Sequence, residues 1–259
     1  MRFIDNPSCQ IWLMGGLGNQ LFQLNYGIWL MNKIGRPIAF NTYLTRHNFV
    51  TKLLKWSIHD ALLEQLIDIN TEITNIRNIP AILLCKAPIC SASSHYAGLY
   101  DIPKSAHRNL FGYFQNRKFL AETQASLSLK SGILENCKQY DTVMHLRGGD
   151  MNNREYGLSY YSHVLEHLHP SRIHVVTDCS FSLERLKNNF KKHELLDVGG
   201  SAYQDFLTCC SAKTLVTAPS TFSWWAARLG NAKKIVMPLQ TYNILGSPTL
   251  RDERNMLLL

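Results

Sequence analysis

Long hydrophobic runs are missing from this chain of 259 residues. No window offers the roughly 18 consecutive apolar residues that a membrane span requires. The amino terminus carries Asp5 and Pro7 where a signal peptide would be apolar. We therefore expect a cytoplasmic protein that does not cross a membrane. Peripheral contact with the inner membrane face is compatible with the sequence.

Patterns of metal ligands are also scarce. Cys85 and Cys90 are followed by no second Cys/His pair at zinc-site spacing. His163 and His167 lie one helical turn apart, but neither the Glu of an HExxH motif nor a third ligand accompanies them, so we interpret them as a polar helix face. We expect no metal site. The seven cysteines, an odd number at irregular spacings, favour a reducing compartment.

A clustered basic stripe is absent as well. The net charge of +8 comes from Lys and Arg residues spread along the chain, with only pairs such as Lys191-Lys192 and Lys233-Lys234. Such a surface favours anionic partners in general, and we expect no nucleic-acid partner. A hydrophobic content of 46% and a charged content of 18% are ordinary for a soluble globular protein of one large or two small domains.

The stretch DTVMHLRGGD, residues 141–150, predicts a short strand that ends at the glycine pair 148–149. His145, Arg147 and Asp150 would then lie at the carboxyl end of that strand, where open α/β sheets bind ligands. A guanidinium there suits a pyrophosphate. An Arg147 that merely closes the strand and pairs with Asp150 is the alternative, and this stretch alone leaves both interpretations open.

Strands and helices alternate around this stretch. Residues 10–14 predict a strand, and a glycine turn and a helix to Lys33 follow. The turn lacks the third glycine of a dinucleotide-binding motif and the lysine of a P-loop. Further strands are predicted at 36–41, 172–178, 214–218 and 234–238. Further helices are predicted over 158–168, in a segment that ends near residue 136, in one that begins at 183 and in one that ends at 229. This order predicts an α/β fold with parallel sheets.

Five segments, in order, resemble the motifs of the bacterial α-1,2-fucosyltransferases of glycosyltransferase family 11. They are GGLGNQLFQ at 15–23, GYFQ at 112–115, HLRGGD at 145–150, VVTD at 175–178 and STFSWWAA at 220–227. The resemblance implies a GT-B-like fold, with two Rossmann-type domains facing a central cleft. We set the acceptor-side domain at 1–136 and the domain that binds GDP-fucose at 137–259.

The resemblance also implies roles for individual residues. Arg147 would hold the pyrophosphate of GDP-β-L-fucose and His145 would touch the donor or position its loop. Asp178 would face guanine or ribose. The remaining donor-binding candidates are Ser220, Thr221 and Ser223 before a helix, and Asn19 and Gln20 from the other domain. The implied enzyme needs no metal and no cofactor beyond its donor substrate.

The catalytic base is less determined by the sequence. Inversion requires a group that takes the proton of the acceptor hydroxyl. Glu155 lies ten residues after His145, a spacing similar to that of the base in α-1,6-fucosyltransferases, and we prefer it narrowly over Asp150. Each has a bland alternative, since Asp150 suits pairing with Arg147 and Glu155 suits a solvated loop. The usual second arginine of the motif is Gly148 in this chain.

The expected function is the inverting transfer of L-fucose from GDP-β-L-fucose to the 2-hydroxyl of a terminal β-galactoside in surface-polysaccharide synthesis. The acceptor would be free or lipid-linked at the inner membrane face. The alternative is a protein that binds GDP-sugars or carbohydrates and has lost or changed its transferase activity, an option that Gly148 keeps open.

Overall fold

A computed structural model describes residues 9–35, 37–45, 62–68, 74–77, 89–91, 108–115, 120, 127–147, 158–248 and 255–259. The chain divides into two compact units, Met1–Lys130 and Ser131–Leu259. Each unit contains a sheet whose strand pairs all run parallel.

The amino-terminal unit contains a sheet of five strands in the order β3-β2-β1-β5-β4. The strands are β1 Cys9–Trp12, β2 Ile38–Asn41, β3 Thr74–Arg77, β4 Ile89–Ser91 and β5 Arg108–Phe111. Helix α1, Leu17–Ile34, joins β1 to β2, and short helical segments follow at Tyr43–Thr45 and at α2, Leu62–Leu66. The predicted strand, glycine turn, helix and strand at the start of the chain are confirmed.

Helix α1 lies unusually close to the sheet at Gly27. A Cβ atom at this position would stand 2.3 Å from the Phe40 ring and 2.9 Å from Ile11. Only glycine permits that approach, because real Cβ atoms do not come so near to packed side chains. The close contact fixes α1 on β1 and β2, and with it the glycine turn that precedes the helix.

The carboxyl-terminal unit contains a sheet of six strands in the order β11-β10-β9-β6-β7-β8. Its strands are β6 Thr142–Leu146, β7 Arg172–Thr177, β8 Glu194–Asp197, β9 Thr214–Val216, β10 Lys234–Met237 and β11 Met256–Leu258. Its helices are α3 Leu158–Leu168, α4 Ser180–Asn189, α5 Ala202–Cys210, α6 Thr221–Leu229 and α7 Leu239–Leu245. The two central strands, β6 and β9, are neighbours although more than sixty residues separate them in the chain.

The core of this unit explains why α3 forms where the sequence predicts it. Tyr161, Val164 and Leu165 of α3 are buried against Met144 of β6 and Val236 of β10. On α6, the two tryptophans 224 and 225 are fully buried, as expected for residues that pack a helix on its sheet. Full burial of an aliphatic side chain such as Val164 or Leu165 contributes roughly 1.5–3 kcal/mol.

The prediction of a helix running to residue 136 is wrong for residues 127–136. Leu129 forms an antiparallel bridge with Ile67, and turns follow from Ser131. Gly132 adopts a φ of 75°, which a helix does not contain. Several elements were not predicted. In the carboxyl-terminal unit they are strand β8, helices α5 and α7, and strand β11, which lies parallel to β10 at the edge of the sheet; in the amino-terminal unit they are strands β3, β4 and β5.

Candidate functional site

Arg147 and Ser220 come together at the carboxyl ends of β6 and β9. Arg147 directly follows β6, and its Nη1 donates a hydrogen bond to Ser220 Oγ at 3.2 Å. The two residues stand 73 positions apart in the chain, and the parallel pairing of β6 with β9 places them at the same edge. The guanidinium is therefore held beside the amino terminus of α6, which carries a partial positive charge.

The loop between β9 and α6 is fastened by its own serines. Ser220 caps α6, because its Oγ accepts a hydrogen bond from Phe222 N at 3.2 Å. Ser223 is fully buried; its Oγ accepts from Ala218 N at 3.1 Å and lies 3.4 Å from Ala218 O. Thr221 begins the helix and is partly exposed. Ser220 is therefore buried with its hydroxyl bonded to Arg147, whereas Thr221 lies partly exposed at the helix start and the Ser223 hydroxyl is engaged inside the loop.

His145 lies beneath Arg147, with 7% of its surface exposed. Its ring tilts against the Phe222 ring at 5.3 Å between centroids, and its Nδ1 has no hydrogen-bond partner among the described residues. Burial lowers the pKa of His145 to about 4, and the positive charge of Arg147 acts in the same direction. The imidazole is therefore neutral at neutral pH, and among the described residues here Arg147 carries the positive charge.

Tyr161 of α3 holds the end of β6, a role that the sequence did not indicate. Its hydroxyl donates to His145 O at 2.9 Å. Burial raises the pKa of Tyr161, while a hydrogen bond from the backbone N–H of Arg147 acts against this rise. One buried hydroxyl therefore contacts the peptide groups on both sides of Leu146, immediately before the guanidinium. A tyrosine in a helical pattern carries no sequence signal for such a contact.

Asp178 follows β7, the strand next to β6, and its side chain is exposed. Its negative charge counts among the influences on the pKa of His145 and on that of Tyr161. Asp205 of α5 lies at the same carboxyl edge. Burial raises the pKa of Asp205, and the negative charges of Asp197 and Asp178 raise it further, while a hydrogen bond from Gly200 N at 2.7 Å lowers it. Sequence reasoning missed these two acidic neighbours of Asp178.

A cavity of about 460 Å³ lies elsewhere on this unit, between the start of α3 and the ends of β10 and β11. Tyr160, His163, Pro238 and Leu239 are among its lining residues. Among the described residues, none of the predicted site residues lines this cavity.

Within the amino-terminal unit, the motifs at 15–23 and 112–115 meet. Gln115 Nε2 donates to Asn19 Oδ1 at 2.8 Å, and Gln23 Nε2 donates to Gly112 O at 2.8 Å. Gln20 is buried, and its Nε2 donates to Gly15 O at 2.8 Å. The predicted residues Asn19 and Gln20 thus brace the turn between β1 and α1.

Gly15 has two reasons to be glycine in this turn. Its φ is 75°, a left-handed conformation that other residues rarely adopt. A Cβ atom here would also stand 2.9 Å from Asn19 Nδ2 and 3.2 Å from the Tyr113 ring. Gln115, the last residue of the GYFQ motif, bonds to the same Asn19. The two motifs therefore form one polar loop pair at the carboxyl ends of β1 and β5.

Asp150, Glu155 and Gly148 lie outside the described residues. Both candidates for the catalytic base therefore remain predictions. Within the described ranges, no group of three or more His, Cys, Asp and Glu side chains is arranged to hold a metal ion. No helix in the described part of the chain is both long and apolar enough to cross a bilayer.

No family model matches the sequence, and no curated protein matches it. Solved structures match by fold. The fucosyltransferase NodZ from Bradyrhizobium aligns with a TM-score of 0.55 at 12% identity, over 89% of this chain and 94% of NodZ. A structure of NodZ α-1,6-fucosyltransferase soaked with GDP-fucose gives a TM-score of 0.51 at 12% identity, with the same coverage of 89% and 94%. POFUT1 in complex with GDP gives 0.52 at 12% identity, over 90% of this chain and 98% of POFUT1. The chain therefore has the GT-B-like α/β fold of these fucosyltransferases.

Proposed function

We propose that this protein is an inverting fucosyltransferase that uses GDP-β-L-fucose. The observation that carries the proposal is the hydrogen bond of 3.2 Å between Arg147 and Ser220 at the amino terminus of α6. A guanidinium and a helix start side by side form a site for a diphosphate. The fold shared with NodZ soaked with GDP-fucose and with POFUT1 bound to GDP supports this choice of donor.

The reaction assigns one task to Arg147. The acceptor hydroxyl oxygen attacks the anomeric carbon of fucose, and the bond from that carbon to the β-phosphate oxygen breaks with its electrons leaving on GDP. A base takes the hydroxyl proton. Arg147 would stabilise the charge that develops on the departing GDP, while Ser220 holds the guanidinium in place. The backbone and hydroxyl of Thr221 would face the same phosphates.

The other residues around Arg147 divide between donor contact and support. Asp178, exposed at the end of β7, is the group that we assign to guanine or ribose. His145 supports the loop as a neutral imidazole, since its burial keeps it uncharged. Ser223 is buried and bonded within the loop, so we assign it to fastening the turn rather than to the phosphates.

The acceptor part of the proposal rests on the resemblance to glycosyltransferase family 11. We propose the 2-hydroxyl of a terminal β-galactoside in surface-polysaccharide synthesis, with α-1,2 linkage and an acceptor that is free or lipid-linked. The loop pair of Asn19 and Gln115 orders polar side chains at the carboxyl ends of β1 and β5, which suits a polar ligand such as a sugar. A panel of β-galactoside disaccharides, assayed with GDP-fucose and product analysis by NMR, tests the linkage.

The donor assignment is tested by Arg147→Ala and Arg147→Lys. Hydrogen bonds to charged groups contribute about 1.5–3 kcal/mol each, so loss of a forked contact of two bonds, about 3–6 kcal/mol, should weaken GDP binding by roughly 100-fold or more. Lysine should restore only part of this, because a point charge cannot make two parallel contacts. Arg185→Ala, which removes an exposed arginine from α4, is the matched control.

Calorimetry with GDP and a transfer assay with GDP-fucose separate the outcomes. Weak GDP binding by Arg147→Ala, with a normal unfolding transition and normal binding by Arg185→Ala, supports the proposal. Near wild-type turnover by Arg147→Ala contradicts it. A wild-type protein that binds GDP-fucose but neither hydrolyses nor transfers it would be a binding protein that has lost its activity.

A further inference from the structure

Cations stand in a row along one edge of the carboxyl-terminal sheet. Five neighbouring strands, β10, β9, β6, β7 and β8, each have an exposed lysine or arginine at or shortly before their amino ends. We call this row the basic edge; its residues are Lys138, Arg172, Lys191, Lys192, Lys213, Lys233 and Lys234. The lysine pairs 191–192 and 233–234, which are distant in sequence, thus belong to one surface.

Backbone contacts show that the row is continuous. The backbone N–H groups of Lys233 and Lys234 donate to Lys213 O at 2.8 and 3.1 Å. Lys213 N donates in turn to Tyr140 O at 3.0 Å, two residues after Lys138. At the other end, Arg172 of β7 stands directly opposite Glu194, the first residue of β8. With strands spaced roughly 4.8 Å apart, the four intervals from β10 to β8 span about 19 Å.

Carboxylates neutralise only part of this charge. Lys213 Nζ lies 2.7 Å from Asp141 Oδ1, and Arg172 pairs with Glu194. Both pairs are exposed and therefore contribute little binding energy of their own. The two lysine pairs form no salt bridge with any described residue. Seven cations are thus opposed by two paired carboxylates.

We propose that the basic edge is a docking surface for an anionic phospholipid membrane. Clusters of four to eight Lys and Arg residues are attracted to the negative surface of such a bilayer, and a row of exposed, flexible lysines can adapt to that surface. The opposite edge carries Asp178, Asp197 and Asp205, so the charge distribution favours one orientation of the sheet relative to a negatively charged membrane. The basic edge would face the membrane, and the Arg147 site would face away from it.

A single-stranded nucleic acid fits the same surface less well. Such ligands require aromatic side chains on which bases stack, between the cations. The aromatic residues nearest in sequence to these cations are Tyr140, which is half-buried and covered by Lys138 Nζ at 5.1 Å from the ring centroid, and Phe190, which packs against the core. The edge therefore offers charge without a stacking platform.

The test uses the full chain and no sugar substrate, so its outcome does not depend on the proposed fucosyltransferase activity. Co-sedimentation is measured with vesicles of phosphatidylcholine containing 30% phosphatidylserine, and with vesicles of phosphatidylcholine alone. The variants are Lys191→Gln/Lys192→Gln and Lys233→Gln/Lys234→Gln. Lys33→Gln/Lys130→Gln, which removes two exposed charges from the amino-terminal unit, is the matched control.

We expect binding to the anionic vesicles only, and loss of that binding in 500 mM NaCl. Each double variant of the basic edge should bind roughly 10- to 30-fold more weakly, since each lysine contributes on the order of a factor of five near such a surface. The control should bind as the wild type does. Failure to bind anionic vesicles, or equal binding by the variants, overturns the proposal. Tighter binding to a 20-nucleotide single-stranded RNA, lost in the same variants, would replace the membrane by a nucleic acid.

Discussion

Removal of the His145 imidazole should make the protein less sensitive to acid. His145 is buried, its Nδ1 has no partner among the described residues, and its pKa is about 4 against an ordinary 6.5. Between these two values the unfolded chain binds a proton that the folded chain does not. The free energy of unfolding therefore has its full value, as far as His145 determines it, above pH 6.5, and it decreases as the pH falls towards 4. A difference of about 2.5 pKa units corresponds to about 3 kcal/mol.

The assay is urea unfolding followed by tryptophan fluorescence, at pH values from 7.5 to 4.5. His145→Gln and His145→Phe remove the titrating group with different side-chain shapes, so that the failure of one to fold leaves the other. The free energy of unfolding of the wild type, minus that of either variant, should be constant above pH 6.5 and fall by about 2–3 kcal/mol by pH 4.5. His163→Gln, which removes an exposed histidine of α3, controls for the loss of a histidine as such.

The reasoning is refuted if that difference stays constant across the whole pH range, because the buried imidazole would then titrate alike in the folded and unfolded chains. A second measurement addresses the cause. The charge of Arg147 helps to lower the pKa of His145, so Arg147→Gln should raise this pKa in an NMR titration. An unchanged pKa in that variant would mean that burial alone accounts for the shift.

Further predictions concern the same edge of the sheet. Tyr161→Phe should lower transfer roughly 10-fold and Tyr160→Phe should not, because of these two hydroxyls only that of Tyr161 bonds to the peptide groups before Arg147. A lower kcat with an unchanged unfolding midpoint would show that Tyr161 positions Arg147 and does not merely stabilise the fold. If Glu155 or Asp150 is the catalytic base, its variant, Glu155→Gln or Asp150→Asn, should keep its affinity for GDP and lose turnover. Normal transfer by Glu155→Gln would assign the role of base to Asp150 or to another residue. Transfer should persist in EDTA, and loss that Mn²⁺ or Mg²⁺ restores would contradict a donor site built on Arg147. Raised salt should weaken GDP binding, since the contact is ionic.

The elements that the sequence predicts well are those whose local pattern agrees with their packing. Helix α3 was predicted over 158–168 and forms over Leu158–Leu168, because its apolar face is buried and Pro170 follows its end. Strand β8 is only four residues long, with one buried side chain, so it has no apolar run to detect. Helix α5 did carry a signal, the capping box of Ser201 and Gln204, which sequence reasoning passed over.

The site was predictable to the extent that strand ends determine it. Arg147 and Ser220 follow two strands of one parallel sheet, and both were expected at its carboxyl edge, where they meet. Tyr161 could not be found in this way, because its contact depends on where α3 crosses the sheet. The burial of Ser223 was equally hidden, since a serine in a polar turn is as well suited to face solvent as to brace the loop.

In both units a buried polar side chain of a helix satisfies backbone groups at the end of a parallel strand. Where a parallel strand ends and the chain turns sharply, buried backbone groups need partners, and an unsatisfied one costs about 1–3 kcal/mol. In the amino-terminal unit, Gln23 of α1 accepts from Met14 N at 2.9 Å and donates to Gly112 O at 2.8 Å. In the carboxyl-terminal unit, Tyr161 performs the corresponding task at the end of β6. The loops at the carboxyl edges therefore owe their shape to buried polar side chains on the helices behind them. Substitutions at these helix positions should alter the loops without touching any residue that would contact a ligand.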